Sequence, residues 1–250
     1  MKKLVLLFGI IHSLSNSYAQ IDYPKKEILP VLGFHFQYGI FQPVGKMNER
    51  FGFDNAIQLS VDHLSKSNWV FGGDGQYFFG KKVKEDPLAK LRVPEGFLIG
   101  NDQALADVQL RERGFYVGAF LGHVFSKTEK DRVNGLRVTV GAGYLQHKIR
   151  IQDNSGSATQ VSGQYIKGYD RQTGGPAFAQ FVGYQFYSHK KLINFFAGAN
   201  FQEGLTKSLR SYNFDEKKAD TASRVDVRMG LIAGWSLPFY IGDKGEDVYY

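Results

Sequence analysis

The sequence has 250 residues, a formal net charge of +7, no cysteine, 29 glycines and a 15% aromatic share. Lack of cysteine excludes disulfides, thiolate metal sites, Cys nucleophiles and a lipid-modified N-terminal Cys. The positive charge is scattered rather than gathered in a basic run, so nucleic acid is not an expected partner.

Abundant Phe, Tyr and Gly with only 7 Pro and 3 Met favour many strands over a helical bundle. Aromatic side chains suit a pleated surface, and Gly lets strands bend and approach closely. A mean hydropathy of −0.29 argues against a helical membrane protein. It does not argue against a transmembrane barrel, whose strands need only one apolar face.

The N-terminus has the layout of an export signal. Met1-Lys2-Lys3 supplies the positive start, Leu4–Ile11 the short apolar core, and Ser17-Tyr18-Ala19 the small residues a signal peptidase reads. Cleavage after Ala19 is expected, leaving one domain over residues 20–250. The apolar run is too short to anchor the chain, and no later segment approaches the ~20 apolar residues of a spanning helix.

From there the chain alternates with period two. In Val31–Phe41, Leu32, Phe34, Phe36, Tyr38 and Ile40 share one face opposite Gly33, His35, Gln37 and Gly39. Ala56–Leu64 sets Ile57, Leu59 and Val61 opposite Gln58, Ser60 and Asp62. Trp69–Phe79 sets Trp69, Phe71, Tyr77 and Phe79 opposite Asp74 and Gln76. The pattern continues over Phe115–Phe125, Leu136–Tyr144, Ala177–Tyr187 and Ile193–Phe201. It is longest in Arg224–Phe239, where the odd positions from Val225 to Phe239 are all apolar.

Eight such strands, joined alternately by short and long connections, predict an all-β fold: an eight-stranded antiparallel transmembrane β-barrel with one long extracellular loop. Ser65–Ser67, Lys127–Asn134 and Ser188–Lys191 are the short turns. Aromatic residues gathered at strand ends, such as Trp69, Phe125, Trp235 and Phe239, suit an interfacial girdle. The expected address is the outer membrane, with membrane lipid around the barrel.

The signal peptide, the eight strands and the aromatic end Val248-Tyr249-Tyr250 resemble the small outer-membrane β-barrel proteins of Bacteroidota and other Gram-negative bacteria. That group includes PorT-like accessory barrels of the type IX secretion apparatus and small OmpA-like or OmpX-like barrels. The resemblance implies assembly by the barrel insertion machinery, which reads a terminal aromatic strand. Pro238 and the polar stretch Gly242–Asp247 leave open whether Phe239 or Tyr250 closes that strand.

Three constellations carry candidate chemistry. His35, Asp62, Asp74, Gln76, Arg137, Arg224, Asp226 and Arg228 all point into the lumen if the alternation holds. Charges there must pair or stay hydrated. They form either an ion path or a salt-bridged filling that fixes the barrel's shape, and the narrowness of eight strands favours the filling. His63 and Ser65, two residues apart, have the spacing seen in outer-membrane lipid A deacylases, but they fall at the end of a strand on the short-turn side. His123 and His147 stand alone, and no metal or cofactor motif is present.

The third is the loop Lys81–Arg113. Leu91, Phe97, Leu98, Ile99 and Leu110 make it too apolar for a disordered segment, and Ala104–Arg113 has the spacing of a short amphipathic helix. It is either a self-packed lid or a docking surface for another envelope protein. The chain is thus expected to be a non-enzymatic structural or accessory barrel, a partner in a larger envelope or secretion assembly. The alternatives are a passive channel for ions or small solutes and a lipid A-modifying enzyme.

Overall fold

The computed structural model describes residues 29–128, 132–188 and 194–241. The signal segment, Ile193 and the terminal aromatics lie outside them. Strand β1 (Val31–Val44) turns through Gly45 into a single-turn helix α1 (Lys46–Arg50) and continues to β2 (Asp54–Leu64) and β3 (Trp69–Gly80). A two-residue pair, β4 (Leu98–Ile99) and β5 (Leu105–Ala106), stands apart in the next connection. The wall resumes with β6 (Val108–Phe125), β7 (Gly135–Asp153), β8 (Thr173–Tyr187), β9 (Asn194–Ser208) and β10 (Ser223–Tyr240).

Eight of these strands close into one antiparallel ring in the order β1-β10-β9-β8-β7-β6-β3-β2, with β2 returning to β1. Closure leaves no strand edge unpaired, the condition for a β-structure to cross hydrocarbon. The β2–β3 turn shows the local chemistry of the short side: Asn68 takes φ 64°, a left-handed conformation that Asn tolerates.

The strands run further toward the long-loop side than the apolar alternation indicates. The segments Phe115–Phe125 and Leu136–Tyr144 extend to β6 (Val108–Phe125) and β7 (Gly135–Asp153). In the lower wall Leu136 and Val140 face out while Arg137 and Thr139 are buried. Past Tyr144 the phase inverts: Leu145, Ile149 and Ile151 are buried, whereas Gln146, Lys148 and Arg150 face outward. Period two persists, but the apolar residues swap from the outer side of the wall to the inner one.

The same inversion corrects two expectations. The long loop is residues 81–107 rather than Lys81–Arg113, because β6 begins at Val108. Ala104–Arg113 is not a helix. Its apolar residues Ala106, Val108 and Leu110 fall on alternate positions, and β5 and β6 hydrogen-bond them into strands.

Candidate functional site

Within the ring, the inward face is polar at mid-height and aromatic above. Arg137 on β7 donates from Nη2 to Asp62 Oδ2 on β2 at 2.5 Å and from Nη1 to Gln185 Oε1 at 2.8 Å. His35 on β1 sets Nε2 2.9 Å from the same Asp62 and Nδ1 2.8 Å from Ser236 Oγ. Beside this cluster, Gln58 donates to Asp74 at 2.7 Å and Gln76 donates to Gln58 at 3.1 Å. A cavity of about 40 Å³ lies among Gln37, Gln58, Asp74, Tyr116 and Asn200, room for little more than a water or two.

One step toward the long loops, Arg228 is fully buried and paired with Asp54, Nε to Oδ2 3.2 Å. It also donates to Gln76 at 2.9 Å and Gln202 at 2.8 Å. Its guanidinium carbon lies 4.4 Å from the Phe41 ring centroid and 3.7 Å from that of Phe78. Desolvated stacking of this kind suits arginine, whose planar cation is weakly hydrated. Gly114 leaves space for Phe78, since a Cβ there would fall 2.2 Å from its ring.

Higher still, Asp226 accepts from Thr206 at 2.5 Å and holds His147 Nε2 at 2.8 Å. Phe51 stacks edge-on against that imidazole at 5.4 Å. Met47 and Phe51, brought by α1, are fully buried and close the mouth over Phe41, Phe78 and Ile149. The lumen is therefore occupied along its length.

Seven of the eight lumen residues named from sequence enter this interior. Arg224 does not join them; it is half-buried at the rim and pairs with Asp220 at 2.5 Å. His147, isolated in sequence, has a carboxylate partner 79 residues away. At the short-turn end, the His63 ring packs on Phe71 at 5.0 Å while Ser65 Oγ accepts from the Trp69 backbone N–H at 3.0 Å. No hydrogen bond joins His63 to Ser65 among the described residues.

The second region is the set of long connections, which interlock. Leu88 and Leu98 from residues 81–107, Val108, Ile151, and Ala158 and Val161 from residues 154–172 form a separate buried core. Leu91 and Leu110 pack against it. Arg171 is the hub: it donates to Glu85 at 2.7 Å and to Asp215 at 2.8 Å, and its carbonyl accepts from Arg50 at 3.1 Å. It holds φ 48°, a left-handed conformation costing roughly 1 kcal/mol or more for a residue with a Cβ, which these pairings offset. Burial raises the Glu85 carboxyl, but Arg50 and Arg171 outweigh it and hold the group below its ordinary range. Phe97, Ile99 and Leu105 stay exposed, and Ile99 and Leu105 lie directly opposite each other on β4–β5.

No family model matches the chain, and no curated protein matches it. Solved barrels are similar to it. Neisserial surface protein A shares 12% identity over 83% of this chain and 97% of its own, with a TM-score of 0.45. OprG from Pseudomonas aeruginosa shares 12% over 85% and 97%, with a TM-score of 0.44. Ail of Yersinia pestis shares 14% over 84% and 99%, with a TM-score of 0.36.

Residues missing from the sequence reading include Asp54, Gln185, Gln202 and Ser236, all buried in the lumen. A signal existed for each: Asp54 shares the parity of Asp62, and Ser236 that of Arg228. The inward aromatics Phe41, Phe78, Tyr116, Phe181 and Phe196 also carry the parity of the polar face, but their hydropathy points the other way and masks it.

Proposed function

We propose that this chain is an integral outer-membrane barrel that serves as an accessory component of a larger envelope assembly, holding a partner protein on its interlocked long loops. The membrane reading is supported by the belt of apolar side chains around the wall. Phe36, Ile57, Leu59, Leu121, Val140 and Leu231 all face outward, Leu231 with 71% of its surface exposed. A continuous apolar band of that extent is not sustained in water, and its alternation with buried polar residues is that of a membrane barrel.

The observation that carries the accessory role is the contrast between a filled interior and an exposed, ordered loop cluster. A lumen closed by Met47, Phe51 and the Arg228 cluster offers little for passage. The loops have their own core yet leave Ile99 and Leu105 paired and uncovered, 55% and 58% exposed. Apolar anchors on a rigid support are what a protein interface uses.

Co-purification in mild detergent tests this. The barrel should migrate with an envelope protein, and Ile99→Ser/Leu105→Ser should release that protein while leaving the barrel folded. A solitary barrel, unchanged by the double substitution, would overturn the accessory role and leave the membrane reading standing.

A further inference from the structure

Just above the apolar belt, β6 and β7 place four cations on their outer face in two directly opposed pairs. Arg111 is registered with Arg150, and Arg113 with Lys148. Like charges directly opposite destabilise a sheet, and among the described residues none of the four has a carboxylate partner. Arg111 and Arg113 each give one nitrogen to a neighbour, Nη2 to Gln109 and Nη1 to the Glu112 carbonyl.

Three of the four, Arg113, Lys148 and Arg150, line a groove of about 570 Å³ on the outside of the wall together with Tyr77, Phe115 and Ile166, and Arg111 stands opposite Arg150 in the strand register. Asp170 also reaches the groove, but its carboxylate is taken by Arg210 at 2.5 Å. The groove floor is aromatic where it meets the belt, and its upper wall is cationic.

We propose that this groove binds the phosphorylated headgroup of an anionic lipid of the surrounding leaflet, with Arg111, Arg113, Lys148 and Arg150 on the phosphates and Tyr77 and Phe115 against the upper acyl chains. The height supports it. Along a tilted strand each residue climbs roughly 2.5 Å, so the cations lie about 5–10 Å above Phe115, the level at which headgroup phosphates begin. The phase inversion past Tyr144 marks the same boundary independently. A bound phosphate removes the repulsion within each cation pair, which explains why two like-charged pairs stand side by side on adjoining strands.

This inference rests on the membrane-spanning reading but not on a protein partner. It is tested by native mass spectrometry of the full barrel in a neutral detergent. Bisphosphorylated lipid A, its dephosphorylated form and inorganic phosphate are titrated separately, after insertion into phosphatidylcholine vesicles has been verified. Wild type should retain the bisphosphorylated lipid A. Arg111→Gln/Arg150→Gln and Arg113→Gln/Lys148→Gln should each weaken retention about thirtyfold, and Arg→Lys exchange at 111 and 113 should keep most of it.

Equal retention of the dephosphorylated lipid, undiminished retention by both Gln variants, or equal occupancy by inorganic phosphate would each overturn the site. Failure to enter phosphatidylcholine vesicles would overturn the membrane reading beneath it.

Discussion

Arg137 and Asp62 meet across the barrel interior, Nη2 to Oδ2 2.5 Å, although three strand-to-strand steps separate β7 from β2 around the ring. The contact ties opposite parts of the wall from within. His35 lies 2.9 Å from the same Asp62 oxygen and Gln185 accepts from Arg137 at 2.8 Å, so the buried pair has further polar neighbours on both sides.

Breaking that pair from one side should be far worse than removing it whole. Arg137→Ala leaves the buried Asp62 with His35 beside it but without its guanidinium partner, an expected loss of about 3–5 kcal/mol. Asp62→Leu/Arg137→Leu should recover most of that loss. A double-mutant cycle by urea unfolding, read through Trp69 and Trp235 fluorescence, should give a coupling energy above about 1 kcal/mol. Additive losses would mean the two side chains act independently.

The belt predicts a sharp dependence on the direction a side chain faces. Leu59 faces outward and its neighbour Gln58 is buried in the lumen. Leu59→Arg should cost about 2–4 kcal/mol in a bilayer and little in urea-free detergent, where the bilayer core is absent. Refolding yields into phosphatidylcholine vesicles of graded thickness measure this.

Leu98 lies in the loop core, clear of the barrel core. Leu98→Ala should therefore destabilise the loop cluster by about 2–5 kcal/mol while the barrel stays intact. Limited proteolysis should cut the variant within residues 84–107 and leave the strands protected. Cleavage at the wild-type rate would show that the loop draws no stability from this contact.

Acidification should loosen the same cluster through Glu85. Its carboxyl titrates below the ordinary range because of Arg50 and Arg171. A depressed carboxylate contributes stability that is complete above its unfolded value and is lost as pH falls through the folded one. Hydrogen-exchange protection at residues 84–86 and 170–172, taken relative to the intrinsic rate at each pH, should thus be high at neutral pH and fall once pH drops below about 4. Glu85→Gln should exchange faster at neutral pH and lose that acid step.

Much of this architecture was legible because its physical cause has period two. An apolar surrounding outside and a polar filling inside impose alternation on every crossing, and the eight strands follow from it. What the sequence hid lies where that cause changes. Above Tyr144, Lys148 and Arg150 face out and Ile149 faces in, so a scan for one apolar face stops too early. Inside, Phe41 and Phe78 flank Arg228 at 4.4 and 3.7 Å, an aromatic placement that hydropathy cannot separate from the lipid face. The loop cluster depends on contacts such as Arg171 to Glu85, which span 86 residues and leave no local trace.

The membrane-inserted barrel is tested most directly by gel mobility of the outer-membrane fraction, boiled against unboiled. A closed ring of eight paired strands should resist detergent until heated, so unboiled protein should run as a compact band that shifts on boiling. A single mobility with and without heat, with the protein recovered in the soluble fraction, would contradict it.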